Sequence, residues 1–256
     1  MAGGTIWKGA VHFGDTTIPV KLHTAVGEER IQFHLLHKRD GVKLHQQMIC
    51  AYEKTPVPPE AQAKGFEVEE GKYLIVDPEE LEQTTPDSSR QIEVHEFVRT
   101  SQIDPIFMER TYYLEPDTVS TEYGALVEAL QEMGVAGICT WTMRKRSYLG
   151  AVLGKGKVLR LTTLRYADEV VGVNALGLGE MPVSERELKV GMDLITQLTE
   201  PFQPQKFVNV HEQRLRQLIE KKARGEKVAI LRPRLLKPTA PEELLRVLEA
   251  SLKKAA

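Results

Sequence analysis

What this chain of 256 residues lacks narrows its role before what it contains does. It has two cysteines, Cys50 and Cys139. That is too few for a disulfide framework and fits a reducing cytoplasm. No apolar run approaches the ~18 residues of a membrane-spanning helix. The opening MAGGTIWKG lacks the basic-then-apolar order of an export signal. The expected location is therefore cytoplasmic. No GxxxxGK[ST] loop, GxSxG elbow or HExxH pair is present, and no Asp/Glu cluster suggests a two-metal nuclease. Neither catalytic residues nor a cofactor are expected.

The most informative absence is of one charge sign. Between Met133 and Ala167, 35 positions carry no acidic residue but seven basic ones: Arg144, Lys145, Arg146, Lys155, Lys157, Arg160 and Arg165. The preceding stretch, Glu53 to Glu132, carries 19 acids against 6 bases. A chain of net charge −2 thus has its charge sorted by region, which suits a polyanion partner for one surface. A solvated basic face that only aids solubility is the alternative.

The basic stretch has strand character. Residues 138–143 alternate, 149–153 are apolar, and 157–166 (KVLRLTTLRY) are rich in β-branched and aromatic residues. Gly154-Lys155-Gly156-Lys157 is a turn signal between two such runs. Alternation places Arg144 and Arg146 on one face and Lys145 on the other.

Two further strands flank Gly14-Asp15, and Pro19 in the second argues for an edge or a bulge. Asp40-Gly41 predicts a hairpin with Lys38, Arg39 and Lys43 at its tip. Five of seven histidines, His12, His23, His34, His37 and His45, precede Cys50, but no CxxC pair or ligand spacing supports zinc, so no metal is expected. Residues 54–70, with Pro56, Pro58 and Pro59, are expected to form a loop or arm, and 72–76 a short strand. Asp77-Pro78 starts a helix. Residues 91–98 and 110–114 are strands, and 122–133 a helix ended by Gly134.

From Ser184 the period becomes helical. Ser184 and Glu187 form a capping box, and Leu188, Met192, Ile195 and Leu198 form an apolar stripe. A second helix is expected over 205–224. Residues 227–256 carry seven bases and three acids, with a short leucine-faced helix bearing Leu244, Leu245, Leu248 and Leu252. Such a helix packs back on the body or fills a partner's groove.

In order and spacing, several segments resemble bacterial Ku, the DNA-end-binding family of non-homologous end joining. They are Ile6-Trp7-Lys8-Gly9, Phe13-Gly14, Ile18-Pro19-Val20-Lys21, Phe33-His34 with His37 to Gly41, and Ile103-Asp104-Pro105. Tyr112 to Asp117, Thr163 to Val170, Pro201 to Phe207 and Leu218 to Lys222 complete the set. The resemblance spans nearly the whole chain. It implies an α+β, β-rich protein with a β-barrel core over residues 1–181 and an inserted bridge at approximately 30–100. A helical arm at 182–226 follows, then a basic linker and helix at 227–256.

It further implies a homodimer whose bridges encircle duplex DNA at an end in double-strand break repair, with no catalysis, a nucleoid-associated location and recruitment of the end-joining DNA ligase. Lys38, Arg39, Lys43, Arg144, Lys145, Arg146, Lys155, Lys157 and Arg160 are then the DNA-binding candidates, and Leu244, Leu245, Leu248 and Leu252 the ligase-interaction candidates. An architectural duplex-binding protein without end dependence is the alternative. Two departures stand out. Glu53 occupies the place of a second cysteine after Cys50, and the chain has no long lysine-rich tail.

Overall fold

A computed structural model describes residues 4–27, 31–87, 89–179 and 182–225. They fall into two compact units, one of residues up to 29 together with 34–172, the other of 30–33 together with 173 onward.

The first unit is a closed barrel of seven strands. In chain order these are β1 (Trp7–Phe13), β2 (Thr16–Thr24), β5 (Gln91–Arg99), β6 (Met108–Pro116), β7 (Val135–Met143), β8 (Arg146–Lys155) and β9 (Val158–Leu164). Their order around the barrel is β1-β2-β6-β9-β8-β7-β5. Every contact is antiparallel except the closure, where Ala10–His12 of β1 runs parallel to Gln91–Glu93 of β5. Closure leaves no sheet edge to protect.

Alternation fills the interior: Ile18, Val20 and Leu22 of β2 face inward, as do Leu114, Leu159 and Leu161, all nearly inaccessible. Pro19 lies on an interior strand, not an edge. It is tolerated because the β2–β6 ladder begins only at Val20, and the Pro19 carbonyl accepts from the amide of Asp117.

One end of the barrel is stoppered by helix α2 (Thr121–Met133), capped by the Ser120 hydroxyl and ended by Gly134 in a left-handed conformation. Tyr123, Val127 and Leu130 are its buried face. The Tyr123 hydroxyl donates to the Leu114 carbonyl at 2.5 Å and accepts from the Leu159 amide at 2.9 Å, stitching helix to strands. Burial raises its pKa, so it stays a neutral donor. Gly154 of β8 lets the helix approach: a Cβ there would lie 2.2 Å from the Val127 carbonyl oxygen.

Between β2 and β5 the chain leaves the barrel. The excursion runs from Ala25 to Arg90, ending earlier than the 100 expected, because Gln91–Arg99 is a barrel strand. It holds β3 (Lys64–Glu69), β4 (Lys72–Val76) and α1 (Pro78–Gln83). Residues 64–69, expected to be part of a loop, pair with β4 through Phe66↔Leu74 and Glu67↔Tyr73.

Two turns in the excursion share one hydrogen-bond scheme. The amide of Gly41 donates to His37 and that of His37 to Val42; Lys54 donates to Cys50 and Cys50 to Thr55. Both carry a positive φ at the fifth position, +72° at Gly41 and +58° at Lys54. Among the described residues from His23 to Gln91 none is buried. Apolar side chains there face solvent: Leu35, Met48, Phe66, Tyr73 and Ile75 are each more than 60 % exposed and Tyr52 is 94 %. An isolated two-stranded hairpin with both faces wet is marginal in water.

The second unit contains α3 (Glu185–Leu198) and α4 (Val210–Ala223). It begins at Val173, ahead of the expected 182, with a 3-10 turn at Val173–Leu176. The Ser184–Glu187 capping box is present. The helix expected from 205 starts instead at Val210: Pro204–Lys206 forms a separate 3-10 turn and Asn209 caps α4 by accepting from the Glu212 amide. Neither helix buries a residue among those described; Leu188, Met192, Ile195 and Leu198 are 57–67 % exposed.

Candidate nucleic-acid interface

Three consecutive cations, Arg144, Lys145 and Arg146, sit at the turn between β7 and β8. Met143 pairs directly with Arg146, leaving Arg144 and Lys145 as a two-residue hairpin turn. Their φ angles are +52° and +64°. Two positive values define a type I′ turn, which Asn-Gly fills most readily because side chains clash in the left-handed region. The expected alternation of Arg144, Lys145 and Arg146 therefore does not hold. The strand stops at Met143 and the first two residues are carried on a tight tip.

Lys145 Nζ sits 2.8 Å from Glu82 Oε1 on α1, tying the tip to the foot of the excursion. That hydrogen bond and charge hold the Glu82 carboxyl below its ordinary range. Both side chains are about 70 % exposed, so the pair is open to competition from a ligand anion. Arg144 and Arg146 make no ion pair among the described residues.

Charge counting by region missed Arg110. It sits beside Glu109 in the acidic half of the sequence, where its sign is outvoted. A bulge places it. Met108 pairs with Leu164 but Thr111 with Thr162, so the Arg110 amide falls off the ladder and donates to Thr163 Oγ1 at 2.9 Å. Across β9 and β8, Arg110 then lines one cleft with Arg146, Tyr148 and Tyr166, which Glu109 and Glu169 also border. Arg165, by contrast, is structural: its Nη1 donates to the carbonyls of Ile106 and Met108 at 2.8 and 2.9 Å.

The remaining candidates are elsewhere. β8 has ten residues, so Lys155 lies ~30 Å along the strand from Arg146, at the opposite end of the barrel. There Gly156 (φ +62°) makes the turn, and the Gln131 amide side chain clamps it, accepting from the Gly156 amide and donating to its carbonyl. Lys155 and Lys157 flank that turn. Arg160 is on the outer wall with its guanidinium 5.9 Å from the centre of the Tyr113 ring. Lys38, Arg39 and Lys43 ring the Asp40-Gly41 turn of the excursion, where His37 Nδ1 is 2.8 Å from Asp40. The hydrogen bond from His37 lowers the Asp40 pKa. The nine candidates thus form three groups. Leu244, Leu245, Leu248 and Leu252 lie outside the described residues.

Three of the five early histidines have separate partners. His12 meets Thr17, His23 meets Glu115 and His37 meets Asp40. Among the described residues no three His, Cys, Asp or Glu side chains converge as metal ligands. Cys50 accepts from the amides of Glu53 and Tyr52, which lowers its pKa, whereas burial pushes the Cys139 thiol up to about 12.

The chain is thus a seven-strand barrel with an uncovered excursion and a basic tip at its foot. Residues 12–190 match the family described as the Ku70/Ku80 beta-barrel domain. The chain belongs to the Ku family. It is 74 % identical over 256 residues, the whole of both chains, to the non-homologous end joining protein Ku 2 of Geotalea uraniireducens (strain Rf4). It is 39 % identical over 226 residues to the non-homologous end joining protein Ku of Anaeromyxobacter sp. (strain K), covering 87 % of this chain and 76 % of that one. Ku of Heliobacterium modesticaldum (strain ATCC 51547 / Ice1) is 39 % identical over 227 residues, 88 % of this chain and 82 % of that one. The seven strands are thus a Ku barrel, and the segment from Ala25 to Arg90 is an insertion within it.

Proposed function

We propose that this Ku-family chain binds double-stranded DNA ends without sequence preference as a homodimeric ring in non-homologous end joining, and that it recruits the end-joining DNA ligase. It acts by binding, not by catalysis. The observation that carries the reading is the excursion: some 60 residues leave a finished barrel, none of those described is buried, apolar side chains are exposed along their length, and they run beside a cationic tip.

Apolar surface of that extent calls for a protein partner. A second copy with the same surface supplies it by a twofold contact. Two excursions closing on each other leave the barrel's excursion end facing the enclosed space. Arg144, Lys145, Arg146 and Arg110 then meet the duplex from below, and Lys38, Arg39 and Lys43 from the arm. Arginine forks onto phosphate oxygens while lysine supplies a mobile point charge, so register is set without reading bases. Lys155, Lys157 and Arg160, at the far end, form a separate group. Among the described residues no helix is long and apolar enough to cross a membrane. A cytoplasmic, nucleoid-associated location follows from the proposed partner.

The test is a gel-shift competition at moderate salt, with labelled linear duplex against unlabelled linear and covalently closed circular DNA of the same sequence. Competition by linear DNA alone is expected. Equal competition by circles refutes end dependence and leaves an architectural duplex binder. With about 6–10 phosphate contacts, affinity falls ~10³–10⁵-fold between 50 and 200 mM salt; a flat salt response refutes the contact scheme.

A further inference from the structure

The outer wall at the α2 end of the barrel carries a groove that the DNA reading does not use. It has a volume of about 570 Å³ and is lined by Tyr113, Pro116, Val119, Tyr123, Gly124 and Val158, with His23, Glu115, Ser120 and Lys157 at its margins. That volume is in the range that holds a drug-sized ligand or a side-chain anchor. Its floor is aromatic and aliphatic. Val119 stands on its lip 91 % exposed, an apolar surface that a molecule confined to the pocket leaves wet.

The rim carries both signs, but its carboxylates already have partners and, among the described residues, its cations do not. Glu115 is held by His23 at 2.7 Å and Asp117 by Lys21 at 2.9 Å. Lys157 and Arg160 have no carboxylate partner among the described residues. The Arg160 guanidinium lies over the Tyr113 ring that lines the groove, and its Nε is buried without a hydrogen-bond acceptor.

The frame is rigid. Gln131 clamps the turn that carries Lys157, and the Tyr123 hydroxyl fixes α2 to β6 and β9.

We infer that this groove docks a peptide segment of a partner protein that presents an aromatic side chain flanked by carboxylates. The ring enters between Tyr113, Val119 and Val158. The carboxylates meet Lys157 and Arg160, and the rest of the segment covers the lip. Aromatic anchors in preformed pockets with a charged rim are where protein interfaces concentrate their affinity.

The experiment uses the full chain and ligand-observed NMR with two acetylated, amidated pentapeptides. One has a central tryptophan between two aspartates on each side; the other has lysines in their place. Gly124→Leu is the blocking variant. Gly124 lines the groove on α2, a Cβ there meets nothing within 4 Å, and leucine favours helix, so the variant folds. Saturable binding of the acidic peptide is expected, weakened about tenfold or more by Gly124→Leu and about tenfold by Lys157→Glu. No binding of the acidic peptide at millimolar concentration overturns the inference. So does equal binding of the lysine peptide, or unchanged binding in Gly124→Leu. Complete displacement of the acidic peptide by stoichiometric duplex DNA assigns the face to DNA and overturns it too.

Discussion

Replacing Arg144-Lys145 by Asn-Gly separates folding from binding at one turn. The backbone there is left-handed at two successive non-glycine residues, φ +52° and +64°. Each costs roughly 1–2 kcal/mol relative to an unstrained conformation. Asn tolerates that region and Gly is free in it, although Gly adds ~0.5–1 kcal/mol of unfolded-state entropy. The Lys145–Glu82 contact is lost, but it is too exposed to hold the barrel. The double variant is therefore more stable than the parent by about 1 kcal/mol, or ~2–4 °C in Tm for a unit of this size. Its DNA binding moves the other way. A twofold dimer loses four cations, and at ~0.9 per phosphate contact the slope of log K against log salt flattens by up to about 3.6. Differential scanning fluorimetry and salt-titrated anisotropy on a linear duplex measure the two effects on one sample. A gain in Tm with a flatter slope confirms that a strained turn is carried for its charges. A fall in Tm refutes the strain argument, and an unchanged slope removes the tip from the DNA interface. Glu82→Gln is the complementary control: it frees Lys145 from its carboxylate and is expected to tighten DNA binding slightly.

Three other perturbations probe the remaining elements. Tyr123→Phe strands the buried Leu159 amide and Leu114 carbonyl, costing ~1–3 kcal/mol in chemical denaturation, while light scattering of the assembly is unchanged. Ile195→Asp on the exposed face of α3 leaves the barrel's near-ultraviolet circular dichroism intact and shifts light scattering toward the monomer mass; a retained dimer takes that face out of the interface. Under native conditions Ellman's reagent labels Cys50 and spares Cys139. The Cys139 thiol has a folded pKa raised from 9.0 to about 12, so its contribution is full below pH 9 and is lost as pH climbs toward 12, a slope that Cys139→Ala lacks. Prompt labelling of both thiols contradicts the burial.

Legibility in the sequence followed the range of the physics. Period-two patterns such as Ile18, Val20 and Leu22 announced strands because burial selects alternate residues locally. The caps at Ser184 and Asp77 were readable because a helix start satisfies its own amides within one turn. What depends on distant partners was silent. Nothing in Gln91–Glu93 signals a parallel pairing with Ala10–His12, yet that pairing closes the barrel and turns 91–99 from expected bridge into wall. Pro19 looked like an edge marker because the point where the β6 ladder begins is a tertiary fact. The candidate site was half visible. Charge sorting found Arg144 to Arg146 but grouped them with Lys155, Lys157 and Arg160, which a ten-residue strand sets at the other end. Arg110 is recruited by a bulge whose residues carry no turn signature.

The division of the chain between a finished and an unfinished part bears on the assembly proposed for it. A closed barrel offers no strand edge, and its core is complete within one chain, so protomers are not driven to associate through it. Much of the apolar surface left uncovered among the described residues lies on the excursion and on α3, regions whose described residues bury nothing of their own. In the proposed ring, the free energy of closure would be drawn from surfaces that contribute little to barrel stability. Substitutions in the two regions consequently fail differently. Core changes lower the melting of a protomer whose assembly surfaces stay intact. On the proposed function, changes at Phe66, Tyr73 or Ile75 are expected to leave a folded barrel whose DNA binding is weak and no longer dependent on an end.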